Sequence, residues 1–184
     1  ELALQDIRDG KMLIVVDHEH RENERDFIKP ADKVPPEDIN FMMKHARGLI
    51  CVAITEERSK ELNLGPMVSS NTSLHETNFT VSVDARDNIT TGISAKDRAK
   101  TISIASKKNV KKSDIVSPGH VFPIIAKDGG VLVRAGHTEA SVDISKLAKK
   151  NNSAVICEIM NEDGTMAKGL KLFDFAKKHK LKIG

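Results

Sequence analysis

The sequence predicts an α+β fold, a single three-layer domain in which a mixed β-sheet is covered by helices. Short apolar runs typical of buried strands alternate with amphipathic stretches typical of helices, but in an irregular order. The sequence Lys127-Asp128-Gly129-Gly130 also separates two adjacent apolar runs and is typical of a β-hairpin. A hairpin favours a mixed sheet over a regular parallel one. We therefore expect one domain over residues 1–184, in a sequence whose ends have been trimmed.

Six segments are predicted to be strands. Five of them are apolar runs of four to six residues, and the sixth alternates between apolar and polar side chains, as a strand with one wetter face does. The apolar runs are residues 12–16, 49–54, 121–126, 130–133 and 154–159, and the alternating run is residues 79–84.

Five segments are predicted to be helices. Pro35-Pro36 precedes the first of them, since proline suits the first helical position. Ser94-Ala95-Lys96-Asp97 resembles a capping box that opens the third. The segments are residues 37–46, 56–62, 98–107, 141–150 and 170–179.

The composition excludes several classes of protein. The longest apolar runs are far shorter than a membrane span, so we expect no membrane partner. Trp and Tyr are absent and aromatic residues make up 3%. Few side chains are therefore available for nucleic-acid bases to stack on, which argues against a nucleic-acid partner. The net charge of +3 comes mainly from dispersed lysine pairs at predicted helix ends. Cys51 and Cys157 lie in apolar stretches, which indicates buried, reduced thiols and a cytoplasmic location.

The segment 17–26 is the most informative part of the sequence, because it places five carboxylates, two imidazoles and two guanidiniums directly after a predicted strand. Such a cluster repels itself unless a cation or an anionic substrate separates its charges. A solvated loop with locally paired charges is the ordinary explanation. However, a second polar cluster, residues 134–139, follows another apolar run. The two clusters together predict one site for a metal and a phosphate.

The residue types in these clusters suggest distinct tasks. Glu22 and His137 offer oxygen and nitrogen donors that suit Mg²⁺ or Mn²⁺ with exchangeable positions. Arg134, the amides around Gly136 and Thr138 can form an anion cradle before a helix. Asp26 and Glu158 are candidate bases. His120 lies between turn residues and a strand, where a lone imidazole is more often structural.

Seven motifs in register resemble 3,4-dihydroxy-2-butanone 4-phosphate synthase of riboflavin biosynthesis. Each motif is weak alone, but their common order from about residue 9 to residue 179 is highly specific. The motifs are Arg21-Glu22-Asn23-Glu24, Asn71-Thr72-Ser73, Phe79-Thr80-Val81-Ser82-Val83, Thr90-Thr91-Gly92-Ile93-Ser94-Ala95, Pro118-Gly119-His120-Val121-Phe122-Pro123, Arg134-Ala135-Gly136-His137-Thr138-Glu139-Ala140 and the run from Cys157-Glu158 to Met166.

The resemblance implies a lyase that converts D-ribulose 5-phosphate into formate and L-3,4-dihydroxy-2-butanone 4-phosphate with Mg²⁺ or Mn²⁺. It implies a site at a homodimer interface. By motif, the metal ligands are Glu22 and His137, and the residues essential for catalysis are His120 and Glu158. The implied substrate-binding residues are Arg21, Glu22, Asp26, Thr91, Ser94, Asp97, Arg134, Ala135, Gly136, His137, Thr138 and Glu158.

Three positions depart from the pattern of the family. His18 replaces a usual Asp, Arg25 replaces a usual Gly, and Ser117 replaces a frequent Arg. If the backbone at position 25 needs a positive φ, Arg is costly there, and its guanidinium is otherwise free to pair with Glu24 or Asp26. These departures bear on the rate and on substrate affinity more than on the class of reaction.

Three alternatives to the synthase remain open at this point. The departures motivate a phosphosugar-binding or weakly active relative without efficient turnover. Another metal-dependent phosphosugar enzyme, such as an isomerase or aldolase, shares the enediol step, and the formation of formate separates it from the synthase. Nucleic-acid binding is a distant alternative, since the lysine pairs are dispersed.

Overall fold

The computed structural model describes residues 1–18 and 20–184. Within these residues, six α-helices surround seven strands that form one sheet in the order β4-β5-β3-β6-β2-β1-β7. The strands are β1 (Leu13–Val16), β2 (Arg25–Pro30), β3 (Cys51–Ile54), β4 (Val83–Ala85), β5 (Ile115–Ile125), β6 (Ala154–Glu158) and β7 (Lys182–Ile183). The helices are α1 (Leu2–Arg8), α2 (Pro36–Phe41), α3 (Glu56–Glu61), α4 (Ala95–Ser106), α5 (His137–Leu147) and α6 (Leu170–His179).

The sheet is mixed, as predicted. Strand β3 runs parallel to β5 and antiparallel to β6, and β2 runs antiparallel to both β1 and β6. This pairing brings the start of β2 beside the end of β6, with Asp26 opposite Glu158. Two candidate bases from distant parts of the sequence are therefore neighbours on the sheet.

The helices cover both faces of the sheet and give three layers. Alternate strand residues point to opposite faces, so each strand contributes to two apolar layers. Helices α2, α4 and α6 cover one face, and α5 and α1 cover the other. The first layer includes Ile14, Phe27, Val52 and Val155 packed with Ile39, Ile102 and Leu172. The second includes Leu13, Ile28, Cys51, Ala53 and Ile156, with Ile7, Val142 and Ala148 from its helices.

Most predicted elements are confirmed with shifted ends. Pro36 is the first residue of α2, which continues as a π-helical turn over Met42–Ala46. Ser94 caps α4 by accepting a hydrogen bond from the backbone N–H of Asp97 (3.0 Å). In the described chain, no helix is long and apolar enough to cross a membrane.

The predicted strand over residues 130–133 and the predicted hairpin before it are wrong. Gly129 and Gly130 both adopt positive φ, and Gly130–Leu132 forms a 3₁₀ turn that leads into α5. Val131, Leu132 and Val133 are exposed rather than buried in a sheet. The glycine pair forms a strand-to-helix connection. The prediction failed because a glycine turn followed by an apolar run is compatible with a hairpin and also with such a connection.

Three elements, and half of a fourth, were not predicted from the sequence. Strand β2 was missed because its first residues belong to the charged segment and its last is Pro30, which still pairs with Ala154. The first half of β5 was missed because it contains Pro118 and Gly119, which ordinarily interrupt strands. The two-residue β7 and the N-terminal α1 were also missed.

Arg25 opens β2 opposite Val16 and is not among the residues with positive φ, so the expected backbone strain is absent there. Its guanidinium donates a hydrogen bond to the Asn23 side-chain oxygen (2.8 Å) and another to the Asn23 carbonyl, not to Glu24 or Asp26. Asn23 itself holds the left-handed conformation (φ 53°) that Asn tolerates.

Arg25→Gly is therefore expected to destabilise the protein by roughly 0.5–1 kcal/mol, because glycine in a strand loses more conformational freedom on folding. Urea unfolding of the variant and the parent measures this difference. An unchanged or higher stability would show that position 25 behaves as a loop position after all.

Candidate active site

The acidic segment forms a loop between β1 and β2. The antiparallel pairing of Val16 with Arg25 closes this loop, and the backbone N–H of Asp17 donates to the Glu24 carbonyl (3.1 Å). The loop is therefore anchored at its base on two neighbouring strands of the sheet. Glu19, a member of the predicted acidic segment, lies outside the described residues, and His18 lies on the exposed side of the loop.

Asp17, Glu22 and His137 bring three potential metal ligands together. One ligand atom from each lies within 4.8 Å of those of the other two. The Nε2 atom of His137 is buried and has no hydrogen-bond partner in the described structure. Two carboxylates and a histidine with an unsatisfied nitrogen are a donor set that suits a divalent cation.

Arg21 organises the carboxylates of this cluster. Its Nη1 donates to Asp17 Oδ2 (2.6 Å) and to Glu22 Oε2 (3.1 Å), and its Nη2 donates to Glu22 Oε1 (3.3 Å). Burial alone would raise the pKa of Asp17, but the hydrogen bonds from Arg21 and the His18 backbone lower it overall. Asp17 is therefore held ionised, as a metal ligand must be.

His137 is the first residue of α5 and is almost fully buried. Burial lowers its pKa, against the opposing charges of Asp17 and Glu22. Its Nδ1 lies 3.8 Å from Asp26 Oδ2. A neutral imidazole is the form that binds a metal, so the environment favours the protonation state that a ligand needs.

Further carboxylates line a cavity of about 350 Å³ next to this cluster. Burial raises the pKa of Asp26, of Glu24 and of Glu158, and neighbouring carboxylates raise each further. The Oδ1 atom of Asp26 is buried without a partner. A raised pKa suits a carboxylate to exchange protons near neutral pH.

Backbone contacts hold the Glu158 side chain in place. The N–H of Leu49 donates to Glu158 Oε2 (2.8 Å). A Cβ atom on Gly48 would lie 2.4 Å from the Glu158 carbonyl oxygen and 2.6 Å from Oε2, so only glycine fits beside this carboxylate. The segment before β3 thus fixes where Glu158 presents its free oxygen.

The N-terminus of α5 and two arginines form a cationic end of the cavity. Gly136 is the N-cap of α5, and no side chain caps the helix there. A Cβ atom on Gly136 would lie 2.3 Å from Arg134 Nη1 and 2.9 Å from Arg21 Nη2, so both guanidiniums converge on this glycine. Free backbone N–H groups at a helix start, with two arginines, suit a phosphate group.

His120 belongs to a second cluster on β5. Its Nδ1 hydrogen-bonds Asp84 Oδ2 (2.8 Å), and its backbone N–H donates to Asp84 Oδ1 (3.0 Å). Because a carboxylate only accepts, Nδ1 carries the proton and Nε2 is left for other partners. Gly92 lies against this pair, since a Cβ there would come 2.6 Å from His120 Nδ1.

The loop before α4 packs beside this second cluster and is held by Asp97. Asp97 Oδ2 accepts hydrogen bonds from the Thr90 hydroxyl (2.6 Å), the Thr90 N–H (3.1 Å) and the Gly92 N–H (3.1 Å). These bonds, led by the one from the Thr90 hydroxyl, lower the pKa of Asp97. Thr91 and Ser94 are exposed on the same loop.

The two clusters lie on one face of the sheet. Cys51 is paired with Phe122 of β5 and with Ile156 of β6. His120 lies two residues before Phe122, and Glu158 lies two residues after Ile156, so the alternation of strand side chains places both on the face that Cys51 lines. His120 is not among the residues that line the 350 Å³ cavity.

Comparison with known proteins identifies the family. The family model described as 3,4-dihydroxy-2-butanone 4-phosphate synthase matches residues 1–184. The chain belongs to the 3,4-dihydroxy-2-butanone 4-phosphate synthase family.

Two curated relatives illustrate the match. The chain is 58% identical over 182 residues to the 3,4-dihydroxy-2-butanone 4-phosphate synthase of Helicobacter pylori, covering 98% of this chain and 53% of that protein. It is 57% identical over 185 residues to the riboflavin biosynthesis protein RibBA of Aquifex aeolicus, covering 100% of this chain and 46% of that protein. The chain thus spans about half the length of the curated relatives it matches.

A solved structure of similar length has the same fold. A crystal structure of 3,4-dihydroxy-2-butanone 4-phosphate synthase in complex with two magnesium ions superposes with a TM-score of 0.94 at 40% identity. The match covers 99% of this chain and 90% of that one. A relative of nearly this length therefore carries the synthase name, so a phosphosugar-binding chain without turnover is not favoured.

The structure divides the residues that family resemblance indicates into two groups. Around the cavity it brings together Arg21, Glu22, Asp26, Arg134, His137, Thr138 and Glu158. Gly136 is buried beside them, and Ala135 is exposed next to it. His120, Thr91, Ser94 and Asp97 form the second group, outside the cavity.

Sequence reasoning missed several residues of this candidate site. Asp17 was part of the acidic segment but was not singled out as a ligand, although it follows β1 directly. Asp84 ends an alternating run, a position that gives no signal of its contact with His120 thirty-six residues away. Glu24, His75 and Thr77 also line the cavity. Their placement depends on how the loops pack, which no local pattern reports.

Proposed function

We propose that this chain converts D-ribulose 5-phosphate into formate and L-3,4-dihydroxy-2-butanone 4-phosphate, a step of riboflavin biosynthesis. The observation that carries the proposal is the convergence of three metal-type ligands, two carboxylates of raised pKa and a two-arginine helix N-terminus around one cavity. The family match over residues 1–184 supports the same reaction.

A divalent cation fits the donor set of the cavity. Glu22 and His137, with Asp17 beside them, would hold Mg²⁺ or Mn²⁺, and the unpartnered Nε2 of His137 is the strongest sign of a missing ligand. The related structure with two magnesium ions supports magnesium. When bound, the cation would act as a Lewis acid on the carbonyl and hydroxyl oxygens of the sugar.

The phosphate of the substrate is assigned to the cationic end of the cavity. Arg21, Arg134 and Thr138 lie around the N-terminus of α5, where no side chain caps the backbone N–H groups of the first helical turn, which begins at His137. Holding the phosphate here directs the sugar carbons toward Asp26 and Glu158. This fixed pose removes most of the flexibility of an open-chain sugar before reaction.

Proton transfer is assigned to the raised-pKa carboxylates and to His120. Removal of the C3 proton of the ketose gives an enediol, which loses the C1 hydroxyl as water. After a shift of the carbon skeleton, water adds at C4 and this carbon leaves as formate, so no water is consumed overall. Glu158, with one oxygen bonded by Leu49, has its other oxygen available to take and return these protons. The Nε2 of His120 is the second proton-exchanging atom, because Asp84 occupies Nδ1.

We further propose that the active form is a homodimer. Large apolar side chains beside the cavity are exposed, including Leu74 (89%), Leu132 (95%) and Val133 (66%), and a second copy would cover them. In such a dimer, the surface with His120, Thr91, Ser94 and Asp97 would approach a cavity and would contact substrate.

Two buried cysteines without a disulfide in the described residues support a cytoplasmic location.

One incubation tests the reaction. The chain is mixed with D-ribulose 5-phosphate and Mg²⁺, and formate and the butanone phosphate are measured over time. Equal amounts of the two products are expected, because one molecule of substrate yields one of each. Consumption of the sugar phosphate without formate would instead indicate an isomerase or aldolase, and binding without consumption would indicate a non-catalytic relative.

Removing the metal is expected to abolish formate production, and added Mg²⁺ is expected to restore it, because few protein donors hold the cation. Glu22→Gln removes a charged ligand at constant size, so its folded protein should lose at least about tenfold in Mn²⁺ affinity. Titration of Mn²⁺ followed by electron paramagnetic resonance measures this loss.

Glu57→Gln is the matched control, since Glu57 is exposed on α3 and lies outside the cavity. It should bind Mn²⁺ and turn over as the parent does. Full activity in excess chelator, or an unchanged Mn²⁺ affinity of the Glu22 variant, would contradict the metal assignment.

A further inference from the structure

Glu139 is a buried carboxylate of α5 that the proposed reaction does not use. Its side chain is 1% exposed, although it is charged and lies in the first turn of the helix. A buried charge persists in a folded protein only when it is paired and hydrogen-bonded. The partners of Glu139 therefore indicate what it is for.

The two oxygens of Glu139 join two different segments to α5. Oε1 accepts a hydrogen bond from the backbone N–H of Lys127, two residues after the end of β5 (2.9 Å). Oε2 accepts one from Arg134 Nη1 (2.7 Å). One bond thus anchors the start of the 127–136 connection, and the other holds the arginine at its end.

Arg134 is held on its other side by the loop that lines the cavity. Its Nη2 donates to the His75 carbonyl (3.0 Å) and to the Thr77 hydroxyl (3.3 Å). Three N–H groups are thereby engaged, and the remaining donors of the guanidinium stay available to an anion. The planar group has one orientation that satisfies all three bonds, so these bonds fix the direction of its free donors.

We propose that Glu139 is a positioning residue that orients Arg134 toward the phosphate of the substrate and keeps it beside Arg21 at the start of α5. The guanidiniums of Arg134 and Arg21 both approach Gly136, and Glu139 Oε2 lies beside them there. Without Glu139, no carboxylate would neutralise Arg134 at this position. Like charges at this spacing repel. This inference rests on the proposed function for the identity of the phosphate ester.

Asp143 provides a matched control on the same helix. It also lies on α5 and also accepts a hydrogen bond from a backbone N–H twelve residues earlier, that of Val131 (2.9 Å). It forms an ion pair with Lys146 (4.0 Å) and not with Arg134. Asp143→Asn therefore weakens the anchoring of the same connection while leaving the arginine untouched.

Steady-state kinetics of formate production are measured for the parent, Glu139→Gln and Asp143→Asn, together with affinities for inorganic phosphate and for Mn²⁺. Glu139→Gln replaces the carboxylate that accepts the Arg134 hydrogen bond with an uncharged amide, which has only one acceptor oxygen for its two partners. We expect its KM for D-ribulose 5-phosphate to rise roughly 10-fold to 100-fold, the scale of a charged hydrogen bond. Its kcat should stay within about threefold.

The affinity for inorganic phosphate should fall with the rise in KM, the affinity for Mn²⁺ should not change, and Asp143→Asn should match the parent in all of these. The Arg134 guanidinium NMR signals, assigned by their loss in Arg134→Gln, should shift in Glu139→Gln only. In the Arg134→Gln background, Glu139→Gln should add little, because residues that act as one unit are not additive.

An unchanged KM and phosphate affinity in Glu139→Gln, or an equal loss in Asp143→Asn, would overturn the proposal. If Glu139→Gln does not fold, Glu139→Asp decides by the same measurements, since it keeps the charge but is too short to reach both partners. If the parent makes no formate, the proposed function fails, and the phosphate affinities and Arg134 signals still decide the role of Glu139.

Discussion

Glu158→Gln is expected to lower the kcat for formate production by about 10²–10⁴-fold while the protein stays folded and metal-competent. The raised pKa of Glu158, caused first by burial, suits it to exchange protons, and an amide of the same size does not do so. Gln still accepts the Leu49 hydrogen bond through its carbonyl oxygen, so the local structure should survive. KM for D-ribulose 5-phosphate and the affinity for Mn²⁺ should change little.

A pair of glycine variants tests whether the position of this carboxylate matters as much as its chemistry. Gly48→Ala places a methyl group against Glu158 and must displace it, whereas Gly65 has open space around it and no positive φ. Gly48→Ala should therefore lose turnover and Gly65→Ala should not. If Glu158→Gln keeps turnover within a few-fold of the parent, the assigned mechanism is wrong even though the family assignment stands.

The sequence predicted the fold class because the strands of the sheet centre are strongly apolar. The runs that became β3 and β6 are buried on both faces, and such runs are recognisable without tertiary information. Strand β2 was missed because its polar start, Arg25-Asp26, belongs to the charged segment 17–26. The connection at residues 130–133 was misread because exposed and buried apolar runs look alike in sequence.

The meeting of the two polar clusters was predictable, since Glu22 and His137 each belong to a polar cluster that follows an apolar run. The contacts of Asp84 and Glu139 were not predictable in this way. Asp84 and Glu139 act through partners that only the fold brings near them, across a bulged strand pair in one case and a turn in the other. Local patterns carry no information about these pairings, so their discovery required the structure.

His120→Asn is expected to lower formate production by at least about 10²-fold in a folded protein that still binds Mn²⁺ and D-ribulose 5-phosphate. The Asp84 carboxylate fixes the Nδ1–H tautomer and leaves Nε2 to exchange a proton, a task that an asparagine amide does not perform. If His120 were only structural, the variant would lose stability, and activity would fall only in proportion to unfolded protein. Urea unfolding beside kinetics separates these cases.

Asp84→Asn completes this test, because it keeps the size of the side chain but lets the imidazole adopt the other tautomer. An amide still bonds the His120 backbone N–H through its oxygen, so the fold should persist. Turnover should fall by at least about tenfold, and the double variant should be no slower than His120→Asn alone, since Asp84 acts through the imidazole. Full turnover in Asp84→Asn, or losses in the two variants that simply add, would show that His120 works without this carboxylate.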